Sequence, residues 1–164
     1  MSKNPEIGSY IDYITDYYLG VRLRSEKELR DYLTRKLKRY DIEPEDIQNL
    51  IAKKLDALKK YNLINDLTFA KVYVDEKTRF KQRGEYRIRL ELRKKGISDS
   101  IISLAFEFRE EQDADILPRL LMFKYKNTDW NDPKAKQRAI QGLLRRGFGI
   151  HQIKKSIEEI SSEE

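Results

Sequence analysis

The chain has 164 residues, a net charge of +6 and a charged fraction of 38%, well above the roughly 25% of ordinary soluble proteins. It contains no cysteine and few glycine or proline residues, which excludes disulfides and argues against an all-β fold of many short strands. Because no N-terminal apolar segment and no long apolar run occurs, we expect neither secretion nor membrane contact, and a cytoplasmic location.

Helical spacing of apolar residues runs through the whole chain. It predicts nine helices, at about 9–20, 25–39, 44–61, 66–81, 84–95, from 98 onward, 112–126, 133–147 and 150–160. Ser25 and Glu28 have the spacing of a capping box at the second helix. Asp66 is placed to cap the fourth helix, and Gly96 to end the fifth, because glycine adopts left-handed backbone at little cost.

An internal repeat is the most informative pattern. Five apolar positions recur three times with the same steps of 4, 5, 5 and 4 residues: Leu33, Leu37, Ile42, Ile47, Ile51; Ile88, Leu92, Ile97, Ile102, Phe106; and Ala139, Leu143, Phe148, Ile153, Ile157. Each set describes a helix, a turn with an inward apolar residue and a second helix, and one further helix precedes each pair. We predict an all-α fold, an elongated, curved tandem array of three three-helix repeats at 9–62, 63–110 and 111–160, with tails at 1–8 and 161–164.

Cations gather just before two of the predicted turns. Arg93, Lys94 and Lys95 precede Gly96, and Arg145 and Arg146 precede Gly147. Cations in a last helical turn stabilise the negative end of the helix dipole by about 0.3–1 kcal/mol each. The same side chains are expected to face solvent, so a binding role is compatible with the capping role.

The stretch from Lys77 to Lys95 holds nine Lys or Arg residues and two Glu residues, a net charge of +7. One interpretation is a solvated helix face, but such faces usually mix both signs. The excess of one sign favours a surface that contacts an anionic partner, either nucleic acid or an acidic protein.

Helix 84–95 has two apolar stripes. Ile88 and Leu92 share the inward face, whereas Tyr86 and Leu90 lie nearly opposite at 100° per residue. Four cations flank the second stripe: Arg87, Arg89, Arg93 and Lys94. The stripe is either an apolar contact for a partner or a second buried face of a helix between neighbouring repeats.

Signals of catalysis are absent from the sequence. His151 has no cysteine or second histidine to form a metal set, and is expected at the surface. No glycine-rich phosphate loop is present, and the carboxylates alternate with Lys and Arg. We therefore predict a protein that is not an enzyme and uses no metal or cofactor. The tyrosines of the first helix, Tyr10, Tyr13, Tyr17 and Tyr18, are expected to pack rather than to stack on bases.

Two blocks of the central unit carry a family resemblance. Leu63-Ile-Asn-Asp-Leu-Thr-Phe-Ala-Lys-Val-Tyr-Val74 and Gly84-Glu-Tyr-Arg-Ile-Arg-Leu-Glu-Leu-Arg-Lys-Lys-Gly-Ile97 resemble the RecX family of bacterial recombination regulators. The flanking units, with Ser25-Glu-Lys-Glu-Leu29 and Leu143-Leu-Arg-Arg-Gly-Phe148, match mainly in spacing. The resemblance covers roughly residues 9–160.

The resemblance implies a fold of tandem three-helix units and a function. A member of this family is expected to bind in the groove of the RecA filament on single-stranded DNA and to inhibit ATP hydrolysis, strand exchange and co-protease activity. Some members of the family also bind DNA directly and weakly. We expect a monomer that modulates recombination, DNA repair and the SOS response. The predicted contact cations are Arg79, Lys81, Arg83, Arg87, Arg89, Arg93, Lys94, Lys95, Arg145 and Arg146, with apolar contacts from Tyr86 and Leu90.

The first unit departs from this pattern, because Tyr40-Asp41 stands where the other two have a cation and glycine. Aspartate tolerates left-handed backbone better than most residues, so we expect the turn to survive. Two other functions stay open: a helical-repeat protein that binds DNA directly, such as a transcriptional regulator, and an adaptor that docks through Tyr86 and Leu90.

Overall fold

The computed structural model describes residues 5–110 and 116–161. Over these residues the fold is all-helical, with nine helices: α1 (Pro5–Val21), α2 (Glu26–Leu37), α3 (Pro44–Lys60), α4 (Asp66–Arg79), α5 (Glu85–Lys94), α6 (Asp99–Glu110), α7 (Ile116–Lys124), α8 (Pro133–Arg146) and α9 (Ile150–Ser161). Each predicted helix has its counterpart in this series. The prediction of an all-α fold is confirmed.

The helix ends differ from the predictions by a few residues. Helix α1 begins at Pro5, inside the stretch predicted as an N-terminal tail. The predicted seventh helix began at residue 112, but residues 112–115 lie outside the described residues. Helix α4 ends at Arg79, two residues earlier than predicted.

Helix caps explain several of the starts. Ser25 and Glu28 form the predicted capping box at α2, with the Ser25 hydroxyl accepting from the Glu28 amide and the Glu28 carboxylate accepting from the Ser25 amide. The predicted cap of α4 by Asp66 is wrong. Asn65 Oδ1 accepts from the Thr68 amide at 3.0 Å, whereas Asp66 Oδ1 accepts from the Glu26 amide at 2.8 Å and so caps α2. Asp66 is the first residue of α4, which leaves the capping position to its neighbour.

The turns after α5 and α8 have the predicted glycine geometry. Gly96 has a φ of +82° and Gly147 a φ of +94°, both in the left-handed region. The first unit does not share this geometry, and the expectation that Asp41 would preserve the turn is wrong. Asp41 has no positive φ; hydrogen bonds from the Tyr40 amide to Leu37 O and from the Ile42 amide to Tyr40 O close a different turn.

The described chain divides into two compact units. Unit 1 comprises the residues up to Phe69 together with Lys95–Ser98. Its core joins one face of each of α1, α2 and α3: Ile7, Ile11, Ile14, Leu29, Tyr32, Leu33, Leu37, Ile47, Ile51, Leu55, Leu58 and Ile64. Tyr18 stacks on Tyr32 with ring centroids 4.0 Å apart, and Arg24 lies over the Tyr18 ring. Tyr18 therefore packs as predicted, while Tyr13 and Tyr17 are exposed.

Unit 2 comprises Ala70–Lys94 and the described residues from Asp99 onward. One of its clusters joins α7, α8 and α9 through Leu117, Leu120, Leu121, Leu143, Phe148, Ile153 and Ile157. Ile88 and Leu92 of α5 are fully buried, as their spacing predicted.

The repeated apolar positions are core positions in both units. All of them are buried except Ile42, which is half-buried and packs against the unit 1 core. The repeat thus identified core residues in each of its three copies. Across the described residues, no helix has both the length and the apolar character needed to cross a bilayer.

Candidate partner-binding surface

The predicted contact residues lie on four pieces of chain. They are the end of α4, the 80–84 loop, helix α5 with the turn that follows it, and the C-terminal end of α8. Lys95 belongs to unit 1, whereas all the other predicted contact residues belong to unit 2. The arrangement of cations and carboxylates within each unit decides which of them can meet a partner.

Glu91 organises the cations on one side of α5. Its carboxylate accepts hydrogen bonds from Tyr73 Oη at 2.9 Å and from Arg87 Nε at 3.1 Å, and it forms an ion pair with Arg83. Burial raises the pKa of Glu91, but the bonds from Tyr73 and Arg87 and the charge of Arg83 outweigh burial and leave the pKa below its ordinary value. Burial together with the Glu91 charge raises the pKa of Tyr73 well above its usual range. Arg83 and Arg87 are therefore held by the protein's own carboxylate.

The cations on the other side of α5 are also paired. Arg89 Nε lies 2.6 Å from Glu85 Oε1, and its guanidinium lies 4.7 Å from the centroid of the Phe106 ring. Arg93 Nε lies 2.7 Å from Asp99 Oδ1. Pairs of this kind at a surface contribute about 0–1 kcal/mol to stability, so they orient the side chains more than they stabilise the fold.

Lys95 was predicted to face solvent, but most of its side chain is covered. Its side chain is 23% exposed and its Nζ lies 2.6 Å from Glu28 Oε1, at 5.8 Å from the centre of the Phe69 ring. The turn that follows α5 lies against the N-terminal end of α2, and this places Lys95 beside the capping box.

At the end of α4, Arg79 pairs with Asp75 at 2.6 Å.

The C-terminal end of α8 is fixed to the start of α5. The Gly84 amide donates to Arg146 O at 2.9 Å and the Tyr86 amide to Gly147 O at 3.2 Å. Arg87 Nη1 donates to Arg145 O at 3.0 Å. A Cβ on Gly84 would lie 2.3 Å from the Gly147 carbonyl carbon, so only glycine permits this approach.

Three of the predicted cations differ from the others. Within the described part of the chain, the side chains of Lys81, Lys94 and Arg145 are exposed and have no carboxylate partner. Arg146 also lacks a carboxylate partner there, but it is half-buried and donates to the backbone carbonyls of Lys81 and Gln82. Tyr86 is 72% exposed and Leu90 42% exposed. The second apolar stripe of α5 is thus a surface feature, and the alternative of a second buried face is not what the structure shows.

A second basic region was missed by the sequence reasoning. Residues 116–146 contain eight Lys or Arg residues and two Asp residues, a net charge of +6. Besides Arg145, six of these cations are exposed and lack a described carboxylate partner: Arg119, Lys124, Lys126, Lys134, Lys136 and Arg138. The chain outside residues 77–95 is close to neutral as a whole, because this positive region is balanced by negative ones elsewhere. A charge count over residues 116–146 alone would have found these cations.

The described residues contain no group of His, Asp or Glu side chains that could hold a metal ion. His151 is exposed at the start of α9, as expected. The surface chemistry of unit 2 is therefore that of cations beside a small apolar stripe, which suits the binding of an anionic partner.

Known proteins are similar to this chain in sequence and in fold. A family model described as "RecX, second three-helix domain" matches residues 65–105. The regulatory protein RecX of Prosthecochloris aestuarii is 32% identical over 87% of this chain and 88% of its own length. That of Streptococcus gordonii is also 32% identical, over 95% of this chain but only 57% of its own length. This chain thus spans little more than half of some curated relatives.

A solved structure agrees with the fold. The crystal structure of RecX from Lactobacillus salivarius superposes with a TM-score of 0.70 at 28% identity, covering 96% of this chain and 99% of that one. Sequence and fold thus place the chain in a class of helical proteins with three-helix domains, whose relatives are named regulatory proteins. The chain belongs to the RecX family.

Proposed function

We propose that this protein binds in the groove of the RecA nucleoprotein filament on single-stranded DNA and inhibits RecA ATPase, strand exchange and co-protease activity. The observation that carries the proposal is the set of exposed cations in residues 77–95 and 116–146 with no described carboxylate partner: Lys81, Lys94, Arg119, Lys124, Lys126, Lys134, Lys136, Arg138 and Arg145. In a member of the RecX family, these side chains are the ones best able to meet filament phosphates or acidic side chains.

Inhibition follows from occupancy of the groove. A homologous duplex or a cleavable repressor that needs the same groove is excluded while the protein is bound. A ligand that bridges neighbouring RecA subunits also disfavours the conformational cycling that accompanies ATP hydrolysis, because it binds one state of the filament better than the other.

The paired cations have a different part in this proposal. Arg83, Arg87 and Arg89 are already oriented by Glu91 and Glu85, so a partner carboxylate gains little by replacing an internal one. Their charges still belong to the positive stretch 77–95, which attracts an anionic partner over a distance. Such attraction raises the association rate constant more than it raises the affinity.

RecA ATPase turnover on single-stranded DNA tests the proposal, measured with increasing amounts of this protein. We expect turnover to fall, and Lys94→Glu combined with Arg145→Glu to raise the half-inhibitory concentration by about tenfold. The matched control reverses two other exposed lysines, Lys53→Glu with Lys154→Glu, and should inhibit as the unaltered protein does. Unchanged turnover at saturating protein contradicts the proposed inhibition.

Direct DNA binding is a second candidate, favoured by the cations of the α7–α8 region. For a protein held by phosphates, the logarithm of the affinity for duplex DNA falls by about 0.9 per contacted phosphate for each log unit of salt. Fluorescence anisotropy with a labelled duplex, and with a RecA filament, separates the two candidates. Tighter binding to the naked duplex than to the filament favours this second function.

A further inference from the structure

Two phenylalanine side chains of unit 2 are almost fully exposed. Phe123 is 82% and Phe80 77% exposed, the two highest values among the large apolar side chains that the structure describes. Three other phenylalanines, Phe69, Phe106 and Phe148, are buried. A single exposed apolar side chain is common on protein surfaces, so the surroundings of the two rings decide what they can do.

The ring faces of Phe80 and Phe123 have no partner within the described part of the chain. Phe108 is also exposed, but the Lys71 ammonium lies 3.1 Å from its ring centroid. No aromatic ring and no cation of the described residues covers Phe80 or Phe123 in this way. Their faces are therefore available to a planar ligand.

Each of the two rings is followed in the chain by an exposed lysine. The same pattern of Phe, Lys, any residue and a second cation occurs at the C-terminal ends of α4 and α7, as Phe80-Lys-Gln-Arg83 and Phe123-Lys-Tyr-Lys126. Lys81 and Lys124 lack a carboxylate partner among the described residues. Arg119, which lies one turn before the α7 ring, lacks one as well. An aromatic face thus adjoins a cation without an internal carboxylate in two places.

The backbone that carries each ring is held by hydrogen bonds or by packing. The Phe80 amide donates to Glu76 O at 3.0 Å, and the Arg146 guanidinium donates to Gln82 O at 3.4 Å. Phe123 is part of α7, which packs into a core cluster of unit 2. Because the rings stand on ordered backbone, a ligand that covers them does not have to order a loose loop.

We infer that Phe80 and Phe123 stack on unpaired bases of single-stranded DNA. Lys81, Lys124 and Arg119 then contact the neighbouring phosphates. Sites of this kind combine aromatic faces with a positively charged path along the backbone of the strand. A duplex does not fit, because its bases are stacked on one another and a phenyl group has no donor or acceptor to read their edges.

The inference rests on the second candidate function, direct DNA binding, and deepens it by naming the form of the strand and the contact residues. It does not depend on inhibition of RecA.

A lipid surface or an apolar protein groove fits the two rings less well than a strand does. Both bind a continuous apolar area, whereas Phe80 stands between Arg79 and Lys81 in the chain. Met122 adds an exposed apolar neighbour to Phe123, so lipid vesicles serve as a comparison in the test.

Two oligomers of equal length separate stacking from charge. One is a fluorescein-labelled oligothymidylate of about 20 nucleotides, and the other has the same sugars and phosphates but no bases. In fluorescence anisotropy at about 50 mM salt, we expect the protein to bind the oligothymidylate about tenfold more tightly than the abasic oligomer. Phe80→Leu combined with Phe123→Leu should remove this preference and leave the affinity for the abasic oligomer unchanged, because leucine is apolar but has no π face.

Matched variants make the test specific, and circular dichroism verifies that each keeps its helix content. Phe108→Leu should keep the preference, because Lys71 already covers that ring. Lys81→Gln combined with Lys124→Gln should weaken binding to both oligomers alike, because both carry the same phosphates.

Three results would overturn the inference. Equal binding of the two oligomers by the unaltered protein excludes stacking but leaves DNA binding by the cations intact, and binding of neither oligomer contradicts both. Retention of the preference by the double leucine variant excludes these two rings as its source. If the double leucine variant loses binding to phosphatidylserine vesicles and binds oligothymidylate as before, the rings contact lipid instead.

Discussion

Single residues of this protein have roles that their sequence neighbours do not share. Gly84 and Gly147 meet backbone to backbone, so each is a packing position rather than a flexible one. Gly8 is different, because a Cβ there would meet nothing within 4 Å. Glycine content alone therefore does not indicate where the chain tolerates a side chain.

We predict opposite effects for two glycine-to-alanine changes. Gly84→Ala should lower the free energy of unfolding by about 1–3 kcal/mol, because the new methyl group overpacks the contact with α8. Gly8→Ala, inside α1, should raise the free energy of unfolding by about 0.5–1 kcal/mol, because alanine loses less backbone entropy in a helix. Urea denaturation measures both. Equal stability of the two variants would contradict the described contact.

Glu28 gives the fold a defined sensitivity to acid. Burial raises the pKa of its carboxyl, but hydrogen bonds from Arg22, Lys95 and the Ser25 amide outweigh burial and lower the pKa to about 2. The ordinary value of 4.5 applies in the unfolded chain, so the unfolded chain takes up this proton first as pH falls. The stabilisation is complete above about pH 4.5 and is lost as pH falls towards about 2.

Glu28→Gln should therefore reduce the difference in stability between pH 6 and pH 3. We expect the unaltered protein to lose about 1–2 kcal/mol more than the variant over that range, after allowance for solvent screening. Chemical denaturation at the two pH values gives the measurement, with Glu45→Gln at an exposed position of α3 as the control. An identical pH dependence in the unaltered protein and the Glu28→Gln variant would show that this carboxylate is not a source of acid sensitivity.

The helices were the most predictable level of this protein. Their periodicity located the buried face of α5 at Ile88 and Leu92, and glycine placed the turns after α5 and α8, because both signals depend on local spacing. The cap of α4 was misplaced because Asp66 is used by α2, forty residues away in sequence. A contact of that range leaves no trace in local propensity.

The sequence located the cations of the candidate surface, but it did not show which of them are paired with carboxylates. Charge density indicated the region of α5, yet it could not show that Glu91 and Glu85 hold the arginines beside them. It also gave no sign that Lys95 lies against Phe69, because that contact depends on the fold of unit 1.

Helix α5 provides a test of apolar docking. Tyr86→Ala combined with Leu90→Ala removes two exposed side chains, so the free energy of unfolding should change by less than about 0.5 kcal/mol. If the stripe contacts the filament, binding of the double variant should weaken by about tenfold or more. Tyr13→Ala with Tyr17→Ala, an exposed pair on α1, is the matched control in a filament-binding assay. Unaltered filament binding by the α5 variant would exclude the stripe from the interface.

At the scale of the whole molecule, the distribution of charge distinguishes attraction from anchoring. Paired arginines of α5 contribute to the field around the protein, while exposed lysines and arginines without described carboxylate partners can form contacts. The two roles respond differently to salt, because screening acts strongly on attraction over more than about 10 Å at 0.1 M salt.

For the proposed binding to RecA filaments, we predict that salt slows association more than it speeds dissociation. Stopped-flow measurements at salt concentrations between about 50 and 200 mM give both rate constants. Reversal of Lys94 and Arg145 should raise the dissociation rate constant, because these side chains are proposed contacts. The opposite pattern, with salt acting only on dissociation, would contradict the division of roles.

The link between Ser25 and Lys95 joins residues 70 positions apart in the chain. During synthesis α1–α3 leave the ribosome well before residue 95, so the nascent polypeptide carries an incomplete first unit for several seconds at ordinary elongation rates. We expect a nascent chain stalled before residue 95 to be cleaved more readily by protease around α2 than one stalled after α6 has emerged. Unit 1 is thus completed only when residues 95–98 have been translated, after the whole of α5.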